Sequence, residues 1–411
     1  MAQPIVKDLV FLGGGHTHAI ALRKFGMQPL PGVRLTLITN LTDTPYSGML
    51  PCHISGLYDF DESHIDLRPL SQFAQCQLLM DRAVGIDTVN QQVICAHHPP
   101  IAFDVLSIDT GSTPATLDVP GAAAYAIPAK PVPDLLSAWE ALLSQVRQSA
   151  APIAVAVVGG GVGGVELTLN MQRRLWQVLE ASGRSRQDRS MHLSHRGAEV
   201  ANGRNRSTRR RLRQHFVERG VQLHLSESVC AIEALPEGRR RVRCESGLAS
   251  DCDCVFWVTN AAAPGWVQAA GLTTDASGFV LVEDTLQSCS HPAIFAVGDV
   301  ATMKHHPRPK AGVFAVRQGP PLFHNLQAYL TGQPLRPFRP QKQYLNIIDL
   351  GDGCAIASRG PFTLESRLMR RWKDRIDRQF MGLFTDFPAM PSAPSAVAAT
   401  AAALPNPALM P

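Results

Sequence analysis

The chain has 411 residues, 45% of them hydrophobic, and a formal net charge of +5, so it can bury two or three cores and is read as a multidomain globular protein. The basic excess gathers in 204–213 and 367–378, which excludes a uniformly basic surface, and no uncharged stretch is both long and leucine-rich enough to span a bilayer. Nine scattered cysteines without a C-x-x-C pair exclude a disulfide framework, and with no basic leader the expected location is the cytoplasm.

In chain order, the first predicted element is an apolar strand over 8–12 that runs into Gly13-Gly14-Gly15-His16-Thr17-His18 and a helix. Glycines between a buried strand and a helix let the backbone approach a pyrophosphate lying on the helix N-terminus. His18 stands at the third fingerprint position, where a small residue is usual, and this predicts looser helix–strand packing. A strand over 34–38 ends in Ile38-Thr39-Asn40, with a hydroxyl and an amide where a ribose-binding carboxylate is usual; Thr39 and Asn40 can each bond a ribose hydroxyl. The segment Thr44-Pro45-Tyr46-Ser47-Gly48-Met49-Leu50-Pro51-Cys52 follows. Cys52 has no second thiol to resolve a mixed disulfide, so disulfide reduction is disfavoured, and Cys52 reads as a buried small residue rather than an acceptor of sulfur or selenium. A strand over 103–109 then reaches Asp109-Thr110-Gly111-Ser112.

After Pro-rich 128–133 and a helix over 135–145, an apolar strand over 154–158 opens a second turn, Gly159-Gly160-Gly161-Val162-Gly163-Gly164, and a long helix carrying Glu166. Glu166 reads either as a carboxylate at a reacting centre or as a first-turn glutamate favoured by the helix dipole. The strand over 191–194 ends at His195-Arg196 with no acid to repel a 2′-phosphate; Arg196 is a phosphate partner or a solvated arginine, and NADH and NADPH both stay open. Strands over 221–225 and 254–258 follow, then Asn260, which is assigned to the same site. Cys252 and Cys254 alternate as if on one strand face, yet no further Cys or His stands at zinc spacing, so they are structural and no metal is expected. An apolar strand ends in Gly298-Asp299, and 310–319 reads as a helix start containing Gly312 and Val313. Over 341–384 a strand pair precedes a helix in which Leu368, Trp372, Ile376, Phe380 and Leu383 recur among arginines. That basic amphipathic stripe suits packing on this chain or a partner, or an anionic membrane surface. The 204–213 run lacks interleaved aromatics and reads as a solvated helix face, not a nucleic-acid site. The Pro/Ala-rich stretch 387–411 reads as disordered linker.

Together, Gly13 to Gly15, Asp109-Thr110-Gly111-Ser112, Gly159 to Glu166 and Ile294 to Asp299 resemble the FAD-dependent pyridine nucleotide-disulfide oxidoreductases, the superfamily of type II NADH dehydrogenases and sulfide:quinone reductases. Residues 44–51, His64-Ile65-Asp66-Leu67-Arg68 and Trp372-Lys373-Asp374-Arg375-Ile376-Asp377-Arg378 resemble a branch often fused to selenide, water dikinase. The resemblance implies an α/β fold of two nested Rossmann-like dinucleotide-binding domains with a small C-terminal α+β region. Its FAD domain would comprise 1–118 and 259–337, its inserted NAD(P) domain 125–258, and its C-terminal region 338–386. FAD would lie on Gly13, Gly14, Gly15, His16, His18, Thr39, Asn40, Thr110, Gly111, Gly298 and Asp299, with Gly312 and Val313 near the isoalloxazine ring. NADH or NADPH would lie on Gly159, Gly161, Val162, Gly163, Gly164, His195, Arg196 and Asn260, with Glu166 beside the nicotinamide and flavin rings and Pro45 to Pro51 lining the flavin pocket. The implied reaction is hydride transfer from NAD(P)H to FAD, then electrons to a quinone or, second, to a sulfur or selenium compound; Cys52 is the residue to test for the latter. A flavin-binding module docked on a selenophosphate synthase is the reading from another class. A peripheral place on the inner face of the plasma membrane and a homodimer stay open.

Overall fold

The computed structural model describes residues 4–114, 119–259 and 261–388. The strand Lys7–Leu12, sealed from Leu9 onward, sits centrally in a five-stranded parallel sheet between Val33–Thr39 and Val105–Ile108. Cys76–Met80 extends one side of that sheet and Ile294–Ala296 the other. Apolar runs buried on both faces are the pattern a parallel sheet under helices demands. The helix His16–Met27 crosses from the first strand to the second and packs on the helix Gly312–Leu330, where Gly319 leaves room for Ile20. Residues near 300 therefore return to the sheet begun at residue 7.

Between those visits the chain builds a second parallel sheet in the order Ile127–Pro128, Cys254–Trp257, Ile153–Val158, Arg189–His195, Val221–Leu225. The long helix Val162–Ala181 covers it, burying Val165, Leu169, Leu175 and Leu179 at helical spacing. Both sheets are α/β layers of the Rossmann type. Cys252 and Cys254 do not share a strand face. Cys252 ends Ala249–Cys252 in a small antiparallel sheet and Cys254 opens Cys254–Trp257 in the parallel one, because the chain changes sheets at Asp253. Burial pushes both thiols up to about 12, and no group of metal-ligating side chains occurs among the described residues.

The C-terminal region holds three antiparallel strands, Asn346–Asp349, Ala355–Arg359 and Phe362–Ser366, before the helix Arg367–Met381. The third strand escapes the sequence reading because it is an edge, with Phe362 and Leu364 exposed. The helix also departs from expectation. Its buried face is Lys373, Asp377 and Met381, while Leu368, Trp372 and Ile376 are 65%, 44% and 39% exposed. Packing of the apolar stripe on this chain is thus confined to its end, where Phe380 meets Tyr46 with ring centroids 4.5 Å apart. No helix among the described residues is long and apolar enough to cross a membrane. The stretch expected as linker lies outside the described residues from 389 onward.

Candidate functional site

At the first turn, Gly13 adopts φ +91° and comes so close to the 109–110 backbone that a Cβ would lie 2.5 Å from the Asp109 carbonyl. Gly15 leaves room for the Asp109 carboxylate, which a Cβ would meet at 2.4 Å. That carboxylate accepts from the backbone N–H of Thr17 and His18 at 3.0 and 3.1 Å, satisfying two otherwise unpaired donors of the helix start. Burial pushes Asp109 up to about 7 against those hydrogen bonds, with Asp299 adding to the rise. His18 does not loosen the turn as its size suggested. Its ring is sealed, with Nδ1 2.6 Å from the Gly13 carbonyl, Nε2 2.8 Å from Ser107 Oγ and its edge against Phe11. Burial pushes it down to about 3, so it is neutral. It supports the turn from below.

Gly298, at φ +66°, lies over Asp109 and donates to Gln318 Oε1 at 2.7 Å. Asp299 is bonded by Lys130 at 2.8 Å, and Lys130 also reaches Ser112 Oγ at 2.9 Å. Thr39 is buried and its hydroxyl bonds Leu41, whereas Asn40 is exposed at the strand end. Thr110 is exposed beside Gly111, where a Cβ would meet nothing within 4 Å. Gly312 opens its helix against Ser47 Oγ, with Val313 next to it. The residues fit a bound FAD. His16 Nε2 is a buried donor or acceptor with no partner among the described residues, and burial pushes the ring down to about 4, so it presents a neutral imidazole. Together with the space over Gly111 beside the helix start, that orphaned nitrogen matches a pyrophosphate-bearing ligand.

The second turn repeats the geometry with different neighbours. Gly159, at φ +124°, approaches the Val258 carbonyl, and Gly164 crosses Gly159 so closely that a Cβ would lie 1.8 Å from its carbonyl oxygen. Gly161 and Gly163 face open space with Val162 between them. His195 ends the adjacent strand with Nδ1 accepting from Gly160 N–H at 3.2 Å, and burial lowers its pKa. Arg196 is exposed, and Asn260 lies outside the described residues.

Glu166 sits one turn into that helix, its Oε1 accepting from Asp349 N–H at 2.9 Å. Burial pushes it up to about 7, with Lys373 pulling the other way. Pro45 precedes Tyr46, whose ring stands edge-on to His16 at 5.5 Å, so this segment links the first turn to the C-terminal helix. Cys52 is sealed and burial pushes its thiol far up, which gives it the character of a core residue. All nine cysteines are free thiols. Sequence reading missed Asp109, Lys130 and Lys373 as participants. Only Asp109 carried a signal, an acid where a strand meets a Thr-Gly turn.

Comparison with known proteins identifies the family. Residues 7–319 match the family model described as pyridine nucleotide-disulphide oxidoreductase. The NADH dehydrogenase-like protein YutJ of Bacillus subtilis is 23% identical over 84% of this chain and 89% of its own length. The demethylphylloquinone reductase NdbB of Synechocystis is 26% identical over 59% of this chain and 57% of its own. Among solved structures, the sulfide:quinone oxidoreductase of Aquifex aeolicus superposes with a TM-score of 0.76 at 19% identity, over 94% of this chain and 93% of that one. NDH2 of Plasmodium falciparum in complex with NADH gives 0.78 at 14% identity, over 94% and 99%. The chain belongs to the pyridine nucleotide-disulphide oxidoreductase family and is an FAD-dependent NAD(P)H oxidoreductase.

Proposed function

We propose that the chain carries electrons from NAD(P)H to a quinone. One observation carries this reading. A groove of about 270 Å³ runs between the helices His16–Met27, Gly312–Leu330 and Arg367–Met381, lined by Ile20, Val316, Pro320, Phe380 and Leu383, with Arg23 and Lys24 at its rim. Phe380 continues from the groove onto Tyr46, and Tyr46 onto His16 at the first turn. These packed rings join the groove to the first turn. The exposed stripe Leu368, Trp372 and Ile376, flanked by the exposed Arg367, Arg371 and Arg375, suits the surface of an anionic membrane, where quinones reside. Related proteins named as demethylphylloquinone reductase and sulfide:quinone oxidoreductase support the same acceptor class.

Bound FAD supplies hydride acceptance and two-electron transfer. The chain orients the donor through Gly159 to Gly164 and Glu166, places Pro45 and Gly312 about the flavin, and excludes water with Tyr46 and Phe380. Reduction of quinone to quinol takes two electrons and two protons, so one proton enters from solution for each hydride delivered.

The test is anaerobic stopped-flow mixing of the purified yellow protein with NADH or NADPH, then with a soluble quinone, following the flavin absorbance. Bleaching and quinone-driven recovery are expected. Bleaching that persists with quinone but recovers with a polysulfide or selenium acceptor would overturn the acceptor. A yellow protein that never bleaches, yet co-purifies with a selenophosphate synthase, would favour the docking module implied by the closer resemblance. Trp372→Ala with Ile376→Ala is expected to abolish flotation with anionic phospholipid vesicles without changing bleaching.

A further inference from the structure

The helix Gly312–Leu330 carries Pro320 and Pro321 in its interior. A proline there has no N–H to give to the carbonyl four residues back, and its ring pushes that carbonyl off the helix axis. The oxygens of Val316 and Arg317 therefore lose their helical partners. Neither proline is required for the close approach of the helix His16–Met27, where Gly319 alone makes room for Ile20.

The two freed carbonyls differ in what they face. Val316 and Pro320 stand about one turn apart, and both line the groove of about 270 Å³. A helical carbonyl points along the axis towards the residue four places on, so the Val316 oxygen ends between these two lining residues. The carbonyl before it is already served, since Ala315 accepts from Thr17 Oγ1 at 2.8 Å. No side chain among the described residues donates to the Val316 oxygen. The rim cations are engaged elsewhere, Arg23 on the Leu383 carbonyl at 2.7 Å and Lys24 over the Phe323 ring at 5.6 Å. Ile20, Phe380 and Leu383 complete an apolar lining. A backbone acceptor left open in such a groove calls for an O–H donor.

We propose that the Val316 carbonyl, freed by Pro320, accepts a hydrogen bond from the hydroxyl of a quinol head seated in the groove; this rests on the groove being the quinone site. A carbonyl accepts and never donates, so it recognises the reduced, hydroxyl-bearing head and not the quinone or an ether. Binding quinol more tightly than quinone raises the driving force for reducing the bound quinone.

The test is calorimetric titration of the full chain, with oxidised flavin bound and air excluded, using trimethylhydroquinone, trimethylquinone and the dimethyl ether of the hydroquinone. The parent is expected to bind the hydroquinone about tenfold more tightly than the ether. Pro320→Ala restores the N–H that closes the Val316 carbonyl into the helix. It is expected to raise the unfolding temperature and, despite that gain, to weaken hydroquinone binding about tenfold while quinone and ether binding stay unchanged. Pro321→Ala closes the carbonyl of Arg317, which is exposed and outside the groove lining. That variant is expected to raise the unfolding temperature and leave hydroquinone binding alone. A parent that does not bind hydroquinone or does not prefer it to the ether, unchanged binding in Pro320→Ala, or equal loss in both proline variants overturns the role of the Val316 carbonyl. Failure of the quinone reading shows differently: trimethylquinone then does not reoxidise the reduced flavin of the parent, whatever the titrations give.

Discussion

The two glycine turns share a backbone and differ in what lies beneath it. In the second turn the close crossing is made by glycine alone, Gly164 over Gly159, and the nearest buried carboxyl, Glu166, stands one turn further into the helix. In the first turn the equivalent position is His18, and the same crossing becomes a hydrogen bond from its Nδ1 side to the Gly13 carbonyl. Around it stand His16, Asp109, Asp299 and Lys130. A ligand released in every cycle suits the plain cradle, while the charged, prearranged one suits a cofactor that stays. Backbone shape thus reports that a dinucleotide binds, and the side chains underneath report how it is held.

Exchanging the two crossings breaks the comparison most severely. In Gly164→Val the added Cβ would lie 1.8 Å from the Gly159 carbonyl, a backbone atom that cannot swing aside. The helix start must move by about an ångström, and reduction by NAD(P)H is expected to fall by about 100-fold or more while the protein stays yellow. His18→Gly is expected to cost about 2–4 kcal/mol of stability at pH 7.5 through its cavity and lost hydrogen bonds, measured by denaturant unfolding. The pH dependence has a definite sign. Folded His18 resists protonation down to about 3, whereas the unfolded side chain titrates near ~6.5. Its contribution is therefore complete above that pH and declines as pH falls, so the gap between parent and variant narrows by about 2 kcal/mol at pH 5.

Asp109→Asn sharpens the comparison from the electrostatic side. The folded carboxyl is raised to about 7 by burial, so its ionisation opposes folding more and more as pH rises from about 4 to 7. The amide keeps an acceptor for the Thr17 and His18 N–H groups and carries no charge. Its stability relative to the parent is expected to be about 2–3 kcal/mol more favourable at pH 8 than at pH 5, read from unfolding of the flavin-free chain. An equal difference at both pH values would show that Asp109 is ionised throughout and that the first turn is no more charge-sensitive than the second.

How much of this was legible in the sequence follows from the range of each contact. Both turns and the Gly298-Asp299 strand end came from local patterns, because a strand, a glycine turn and a helix start are neighbours along the chain, whereas the nested order was implied only by the family resemblance. The contacts that charge the first turn join residues far apart, Thr17 to Asp109 across 92 positions and Lys130 to Asp299 across 169. No periodicity announces them. The C-terminal helix shows a different limit. Its apolar repeat is visible, but a repeat does not say which face turns inward, and the i, i+4 spacing of Lys373 and Asp377 carries no sign that Gly48 lies opposite. His18 was readable as a departure, and its consequence was not, since Ser107 lies 89 positions away.

The smallest expected effect is at Lys130. Its pair with Asp299 is 43% exposed on the lysine side, so screening by solvent limits it, and Lys130→Met is expected to change stability by less than about 1 kcal/mol. The variant still discriminates. Lys130 belongs to the segment entering the second sheet, and Asp299 to the chain returning to the first, so this bond is a strut between the two nucleotide units. If the first turn holds its cofactor through prearranged charge, freeing Asp299 leaves a carboxylate beside the pyrophosphate uncompensated. FAD should then dissociate faster on dilution, by about tenfold, with the affinity for NAD(P)H unchanged. Equal weakening of both ligands would instead make Lys130 a spacer between the units, and the contrast between a charged cradle and a plain one would rest on Asp109 alone.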